Sequence, residues 1–173
     1  MIKKVSVILL DWKVRESYHS IEYLNRQADV KREDYEIIWI EYYDKRDAAL
    51  MRYDDIGCID QYIVLGRQGV YRKHVMYNEG ILAANGEIVV LCDSDAMFSP
   101  TFISAIINTF DKNEDIVLYL DEIRSKNERF YPFNYPGWEE VLASPGCYNW
   151  DYEKKKTIGL TAEEKDLRSR YGV

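Results

Sequence analysis

Short apolar, β-rich runs alternate with segments of helical periodicity from Val5 to Leu120, and this rhythm constrains the fold more than any other feature of the chain. The runs Val5-Ser-Val-Ile-Leu-Leu10, Glu36-Ile-Ile-Trp-Ile-Glu41, Gln61-Tyr-Ile-Val-Leu65, Glu87-Ile-Val-Val-Leu-Cys92 and Ile116-Val-Leu-Tyr-Leu120 read as five strands. Between them, Ser17 to Ala28 carries Ile21, Leu24 and Ala28 at helical spacing, and Asp47 to Tyr53 makes a short helix stopped near Gly57. Gly69 to Asn85 makes a longer one, with Asn85-Gly86 as a left-handed stop. Ser99-Pro100 opens a further helix whose apolar side is Phe102, Ile103, Ile106, Ile107 and Phe110. Near-continuous apolar strands joined by helices predict an α/β fold: a three-layer sandwich with a mostly parallel central sheet of the Rossmann-like, nucleotide-binding kind. After Asp121 the periodicity fails, and an irregular, aromatic-rich segment extends to about Tyr152 before a last short helix at Thr161-Ala-Glu-Glu164, which has capping-box spacing.

A length of 173 residues suits a single domain with a proper core, divided at about residue 120 into a sheet part, 1–120, and a short C-terminal part, 121–173. The formal charge of −7, without any Lys/Arg block, excludes a nucleic-acid backbone as the expected partner. The 3 cysteines have neither disulfide-framework nor zinc spacing, which points to a reducing cytoplasm or the cytoplasmic face of a membrane. The apolar run after Lys3-Lys4 is closed by Asp11 after six residues, too early for a signal peptide, and no transmembrane segment is predicted. Tyrosine is unusually frequent, 15 against 5 Phe, and rings with an apolar body and a polar tip suit either partly buried core or flat polar ligands.

In an open parallel sheet ligands bind beyond the carboxyl ends of the strands. Asp11-Trp12-Lys13, Glu41-Tyr42-Tyr43-Asp44, Gly66-Arg67 and Asp93-Ser94-Asp95 follow the first four strands, so carboxylates end three of them. The triplet follows a strongly apolar strand and precedes a helix start. Two carboxylates one residue apart there can share a hard divalent ion that also bridges to phosphates, although acids at a helix start are favoured by the dipole alone.

These runs, above all Tyr77-Asn-Glu-Gly-Ile-Leu-Ala-Ala-Asn-Gly-Glu-Ile-Val-Val-Leu-Cys-Asp-Ser-Asp95 followed by Pro100, resemble glycosyltransferase family 2, the nucleotide-sugar-dependent enzymes of GT-A fold, over about residues 4–120. The resemblance implies Mn2+ or Mg2+ held by Asp95, with Asp93 near the ribose and the metal's water shell. It implies nucleotide-sugar contacts at Asp11, Glu41, Arg72, Asp93 and Ser94, with Arg72 in the helix before Asn78. The implied reaction moves a sugar from a UDP- or GDP-sugar to a saccharide, a lipid-linked acceptor or another hydroxyl, with inversion, as in polysaccharide biosynthesis. The family's general base lies further downstream; Glu140, beside Glu139, and Asp121 are the local candidates. His19 and His74 read as ordinary helix-face residues. Two alternatives stay open: a nucleotide-sugar-binding module without turnover of its own, and a phosphoacceptor with Asp93 as nucleophile. A nucleotidyltransferase should show a Gly-rich basic loop after the first strand, and Asp11-Trp12-Lys13 is not one.

Overall fold

The computed structural model describes residues 3–11, 18–44, 47–118, 123–125, 147–151 and 156–158, and the chain divides into two compact units, Met1–Ala96 and Met97–Val173. In the first, β1 (Lys3–Asp11), β2 (Tyr35–Glu41), β3 (Gln61–Val64) and β4 (Gly86–Asp93) form a sheet of order β3-β2-β1-β4 in which every pairing is parallel. The helices are α1 (His19–Leu24), α2 (Ala48–Asp55) and α3 (Lys73–Ala83). Val5 pairs with Tyr35 and the register runs to Asp11 against Glu41, while Leu10 pairs with Asp93 across β4.

Alternation along β1 and β2 gives each face its own core. Ile8, Leu10, Ile38 and Ile40 pack with Met76 of α3. Tyr35 and Trp39 lie on the opposite face of β2, where the Tyr35 hydroxyl donates to the Leu24 carbonyl at the end of α1 and Trp39 meets the Tyr18 ring edge-on at 5.5 Å. Tyr18 meets Tyr53 of α2 at 6.4 Å, so α1 and α2 share that face, and β1 and β2 are buried on both sides. Asp47 caps α2, its Oδ1 accepting from the amides of Ala49 at 2.7 Å and Leu50 at 3.3 Å.

α3 packs so closely that a Cβ on Gly80 would lie 2.5 Å from Ile8 Cγ2 and 2.8 Å from Ile40 Cδ1. Gly80→Ala is therefore expected to destabilise by about 2 kcal/mol through overpacking, against the usual gain of Ala over Gly in a helix. Chemical denaturation would show it as a lower midpoint.

Several boundaries differ from the sequence expectation. α1 stops at Leu24 because Asn25 Nδ2 turns back to the carbonyls of Ile21 and Cys58, both at 2.8 Å, instead of continuing to Ala28. α3 begins at Lys73 rather than Gly69, since Gly69 takes φ 80 and Arg72 is extended. Asn85-Gly86 is not a left-handed stop: Ala84 leaves the helix with φ −66 and ψ 137, and Gly86 already belongs to β4. Gly86 meets a different demand, because a Cβ there would sit 2.7 Å from Ser6 N.

Asn85 serves the amino end of the sheet. Glu36, 3 % exposed, accepts at Oε1 from Ser6 Oγ at 2.5 Å and the Asn85 amide at 2.6 Å. Its Oε2 accepts from Asn85 Nδ2 at 3.1 Å and Gln61 Nε2 at 3.2 Å, while the Gly86 amide donates to Ser6 Oγ at 2.8 Å. One buried carboxylate thus joins β1, β2, β3 and the start of β4. Burial alone would raise its pKa; the hydrogen bonds from Ser6, Asn85 and Gln61 outweigh that and hold it below the ordinary carboxylate value.

In the second unit, α4 (Phe102–Phe110) buries Phe102, Ile103, Ile106 and Ile107, as its periodicity predicts. The fifth strand expected at 116–120 is not formed over 116–118, where Val117 is 91 % exposed. β-branched composition favours a strand only where a partner edge and a buried face accompany it. Conversely, the segment expected to be irregular contains β5 (Ile123–Ser125) and β6 (Cys147–Asp151), which with β7 (Lys156–Ile158) form an antiparallel sheet of order β5-β6-β7. Asp121, Glu140 and the helix expected from Thr161 lie outside the described residues.

Candidate functional site

The chain runs outward from β1 through β2 to β3, then returns to β4 on the other side of β1, so strand order reverses between β1 and β4. That is where an open parallel sheet offers a crevice at its carboxyl end. The acidic strand ends divide there. Asp11 and Glu41 lie in register on the α1/α2 side, 2 % and 1 % exposed, and Glu41 Oε1 accepts from the Tyr43 amide at 2.9 Å. Tyr18 belongs to the same neighbourhood: its pKa is raised by burial and then by the negative charges of Asp47 and Asp11.

Asp93, in register with Leu10, faces the α3 side. Lys73 Nζ, in the first turn of α3, lies 2.6 Å from Asp93 Oδ1 and 5.5 Å from the centroid of Tyr77 one turn on. Burial works against the Lys73 charge, but the hydrogen bond and charge of Asp93 more than offset it and raise the lysine pKa. The pair is roughly half-exposed, open enough for a ligand to compete for either partner. Nothing local in the sequence marks Lys73, which is twenty positions from Asp93; only the packing of α3 over β1 and β2 brings them together.

The triplet itself is a turn closed by the Ala96 amide donating to the Asp93 carbonyl at 3.2 Å. Ser94 is fully buried, Asp95 is exposed, and the Asp95 carbonyl is held by His19 Nε2 at 3.1 Å. At Cys92, just before the triplet, burial and then the charges of Asp93 and Asp95 push the thiol pKa up to about 12.

The β3–α3 connection lines an open depression of about 470 Å³ with Tyr42, Arg67, Gln68, Val70, Arg72 and Val75. Arg72 is the N-cap of α3, extended and exposed, and not a residue inside the helix as expected. The connection is tethered by the tyrosines that follow β2, the Tyr42 hydroxyl donating to the Val70 carbonyl at 2.9 Å and that of Tyr43 to the Gly69 carbonyl at 3.3 Å. Two guanidinium groups, a ring and backbone groups suit a flat, anionic ligand. Arg67, singled out in sequence only as the residue after the third strand, thereby joins Arg72.

Among the described residues no three His, Cys, Asp or Glu side chains converge as a complete metal shell. The donors at the turn are nonetheless of the right class: carboxylate oxygens at positions 93 and 95 suit Mg2+ or Mn2+, which keep waters and take the rest of their shell from phosphates. No helix among the described residues is long and apolar enough to cross a membrane.

The fold has counterparts in solved structures. The crystal structure of S. aureus TarS 1–349 matches with a TM-score of 0.55 at 18 % identity, covering 64 % of this chain and 33 % of that one. S. aureus TarS matches with a TM-score of 0.54 at 20 % identity over 75 % of this chain and 23 % of its own, and TarS 1–349 in complex with UDP with 0.51 at 14 % identity over 96 % and 54 %. At these identities the likeness is one of fold, and the chain spans between about a quarter and about half of the TarS chains. No curated protein sequence matches the chain significantly. The model of glycosyl transferase family 2 matches residues 20–161, most of the chain and all of the sheet from β2 onward, and with the strand order and the Asp93–Asp95 turn in place the chain belongs to that family.

Proposed function

We propose that this chain supplies the donor-binding part of a glycosyltransferase that moves a sugar from a nucleotide-diphosphate sugar, UDP- or GDP-linked, to a hydroxyl of a saccharide or lipid-linked acceptor. The observation that carries the reading is the Asp93-Ser94-Asp95 turn at the carboxyl end of β4 with Lys73 on Asp93; the residues leading into α3 add the Arg67/Arg72 depression. Here an otherwise acidic chain sets carboxylates for a divalent ion beside cations for an anionic ligand.

In this reading Asp95, with Asp93, would hold Mn2+ or Mg2+, and the bound ion would supply neutralising charge for the diphosphate leaving group. Lys73 carries a positive charge into the same space and orients Asp93 through its 2.6 Å contact. The Arg67/Arg72 depression, the Tyr42–Tyr43 segment after β2, and Glu41 with Asp11 in register beside it on the adjacent strand seat the nucleoside. Ser94, buried within the turn, fixes its shape. Inversion would follow from in-line attack by an acceptor hydroxyl deprotonated by a carboxylate; Glu140 and Asp121 are the candidates within this chain. Residues 1–120 then form the donor half and 121–173 part of the acceptor half of one domain, acting in polysaccharide biosynthesis in the cytoplasm or at the cytoplasmic membrane face.

One structure of the TarS 1–349 neighbour contains UDP-GlcNAc and another UDP, which makes uridine donors the first probes. UDP with Mn2+ at about 100 times its Kd is expected to raise the melting temperature by about 5–10 °C, and UDP alone by much less. An unchanged melting temperature with UDP and with GDP, each with Mn2+ and with Mg2+, would overturn the proposal. Because the chain spans a third of TarS 1–349, a second reading is binding without turnover, distinguished by donor affinity with neither hydrolysis nor transfer.

A further inference from the structure

The sequence offers His19 as an ordinary helix-face residue, yet it is nearly buried and its Nε2 lies 3.1 Å from the main-chain oxygen of Asp95, seventy-six positions away. A carbonyl oxygen only accepts, so Nε2 carries the hydrogen and the imidazole donates. The ring is braced by an edge-on contact with Tyr23 one turn further along α1, centroids 5.7 Å apart. In the same turn Lys73 lies on Asp93, Ser94 is buried, and the Ala96 amide donates to the Asp93 carbonyl. The contact from α1 is directed at Asp95's own peptide group, and a peptide group fixed in orientation limits where the Cα–Cβ bond of the same residue can point.

We infer that His19 is a positioning residue for Asp95: its Nε2–H, bonded to the Asp95 carbonyl, holds the Asp93–Asp95 turn in the conformation that presents the Asp95 carboxylate to a divalent cation. The inference rests on the metal reading of the turn proposed above. It assigns His19 no proton transfer and no contact with substrate. It gives α1 a functional duty beyond covering the sheet, since α1 and β4 are joined through this contact at the crevice.

The test measures Mn2+ binding in the presence of UDP by electron paramagnetic resonance, at a temperature well below the melting transition of every variant. His19→Phe keeps a ring against Tyr23 and removes the donor; His19→Gln places an amide N–H at comparable reach. Ile21→Val trims the buried face of α1 without touching Asp95 and reports on stability alone. Loss of a group that orients a metal ligand costs about 10-fold or more in metal affinity, so His19→Phe is expected to weaken Mn2+ binding by about that factor, with His19→Gln within about twofold of the parent and Ile21→Val unchanged. Equal Mn2+ affinity in His19→Phe and the parent overturns the inference and leaves the metal reading standing. Weakening that follows the melting temperature across His19→Phe and Ile21→Val, without rescue by His19→Gln, overturns it as well by reducing His19 to a packing residue. Absence of UDP-dependent Mn2+ binding by the parent protein removes both the inference and the reading beneath it.

Discussion

Asp95→Asn is expected to remove the Mn2+-dependent part of the stabilisation by UDP and to lower sugar transfer by about 10³-fold. The reasoning is electrostatic. An ion that neutralises a departing diphosphate contributes several kcal/mol to the transition state, and each 1.4 kcal/mol is about tenfold in rate. Asp95 is an exposed carboxylate of the turn and Asp93 pairs with Lys73 at 2.6 Å, so the substitution removes one of the two carboxylate charges assigned to the ion. Asn keeps size and hydrogen-bonding capacity but presents a neutral oxygen, a much poorer ligand for a hard cation. The backbone carbonyl bonded to His19 is untouched by the substitution, so the fold and the parent melting temperature without ligand should be preserved. Calorimetric titration of UDP with and without Mn2+ checks this directly. A variant that retains the full Mn2+-dependent gain in affinity would place the metal elsewhere.

The second large effect lies at the opposite end of the sheet. Glu36→Ala deletes the carboxylate that accepts from Ser6, Gln61 and both nitrogens of Asn85, leaving those donors to find other partners in a buried space. Hydrogen bonds to a charged group contribute about 1.5–3 kcal/mol each and are not additive; a net loss of about 3 kcal/mol is expected, or roughly 6–12 °C in melting temperature for a chain of this size. The stabilisation should also depend on pH. The folded pKa of Glu36 is lowered from 4.5, so the unfolded state binds the proton more readily than the folded state. The advantage of the parent over Glu36→Ala is therefore fully present above the unfolded value and declines as pH falls through 4.5 toward the lower folded value. Urea denaturation of both proteins between neutral pH and pH 3 reads this out; a difference constant over that range would mean that Glu36 is not a charged hub.

How much of this was legible beforehand depends on the range of the interaction concerned. β1, β2, β3 and β4 could be placed to within one or two residues because each is a short apolar, β-rich run, β1 and β2 being buried on both faces, and four such runs separated by amphipathic segments admit few other folds. α2 was equally readable, since its cap, Asp47, is local chemistry. The boundaries that shifted were those decided by side chains reaching across the chain. Asn25 ends α1 partly through a carbonyl at Cys58, and Asn85 forgoes a helix stop because Glu36, forty-nine positions earlier, accepts its amides. The failed strand at 116–118 and the strands found at Ile123–Ser125 and Cys147–Asp151 follow the same rule, since β structure exists only with a partner.

The sequence by itself determined the class of fold, the family and the position of the Asp93–Asp95 turn at a strand end, because these depend on local periodicity and on a contiguous motif. Only the tertiary structure decided how the acidic rim is used. It buried Asp11 and Glu41 in register on one face of the sheet and turned Asp93 toward Lys73 on the other. It also gathered Arg67 and Arg72 beside Tyr42 and brought His19 to the backbone of Asp95. The physical reason is that a parallel sheet joins residues through register and crossover helices, so neighbours in space are set by strand order and packing over separations that no spacing in the chain records.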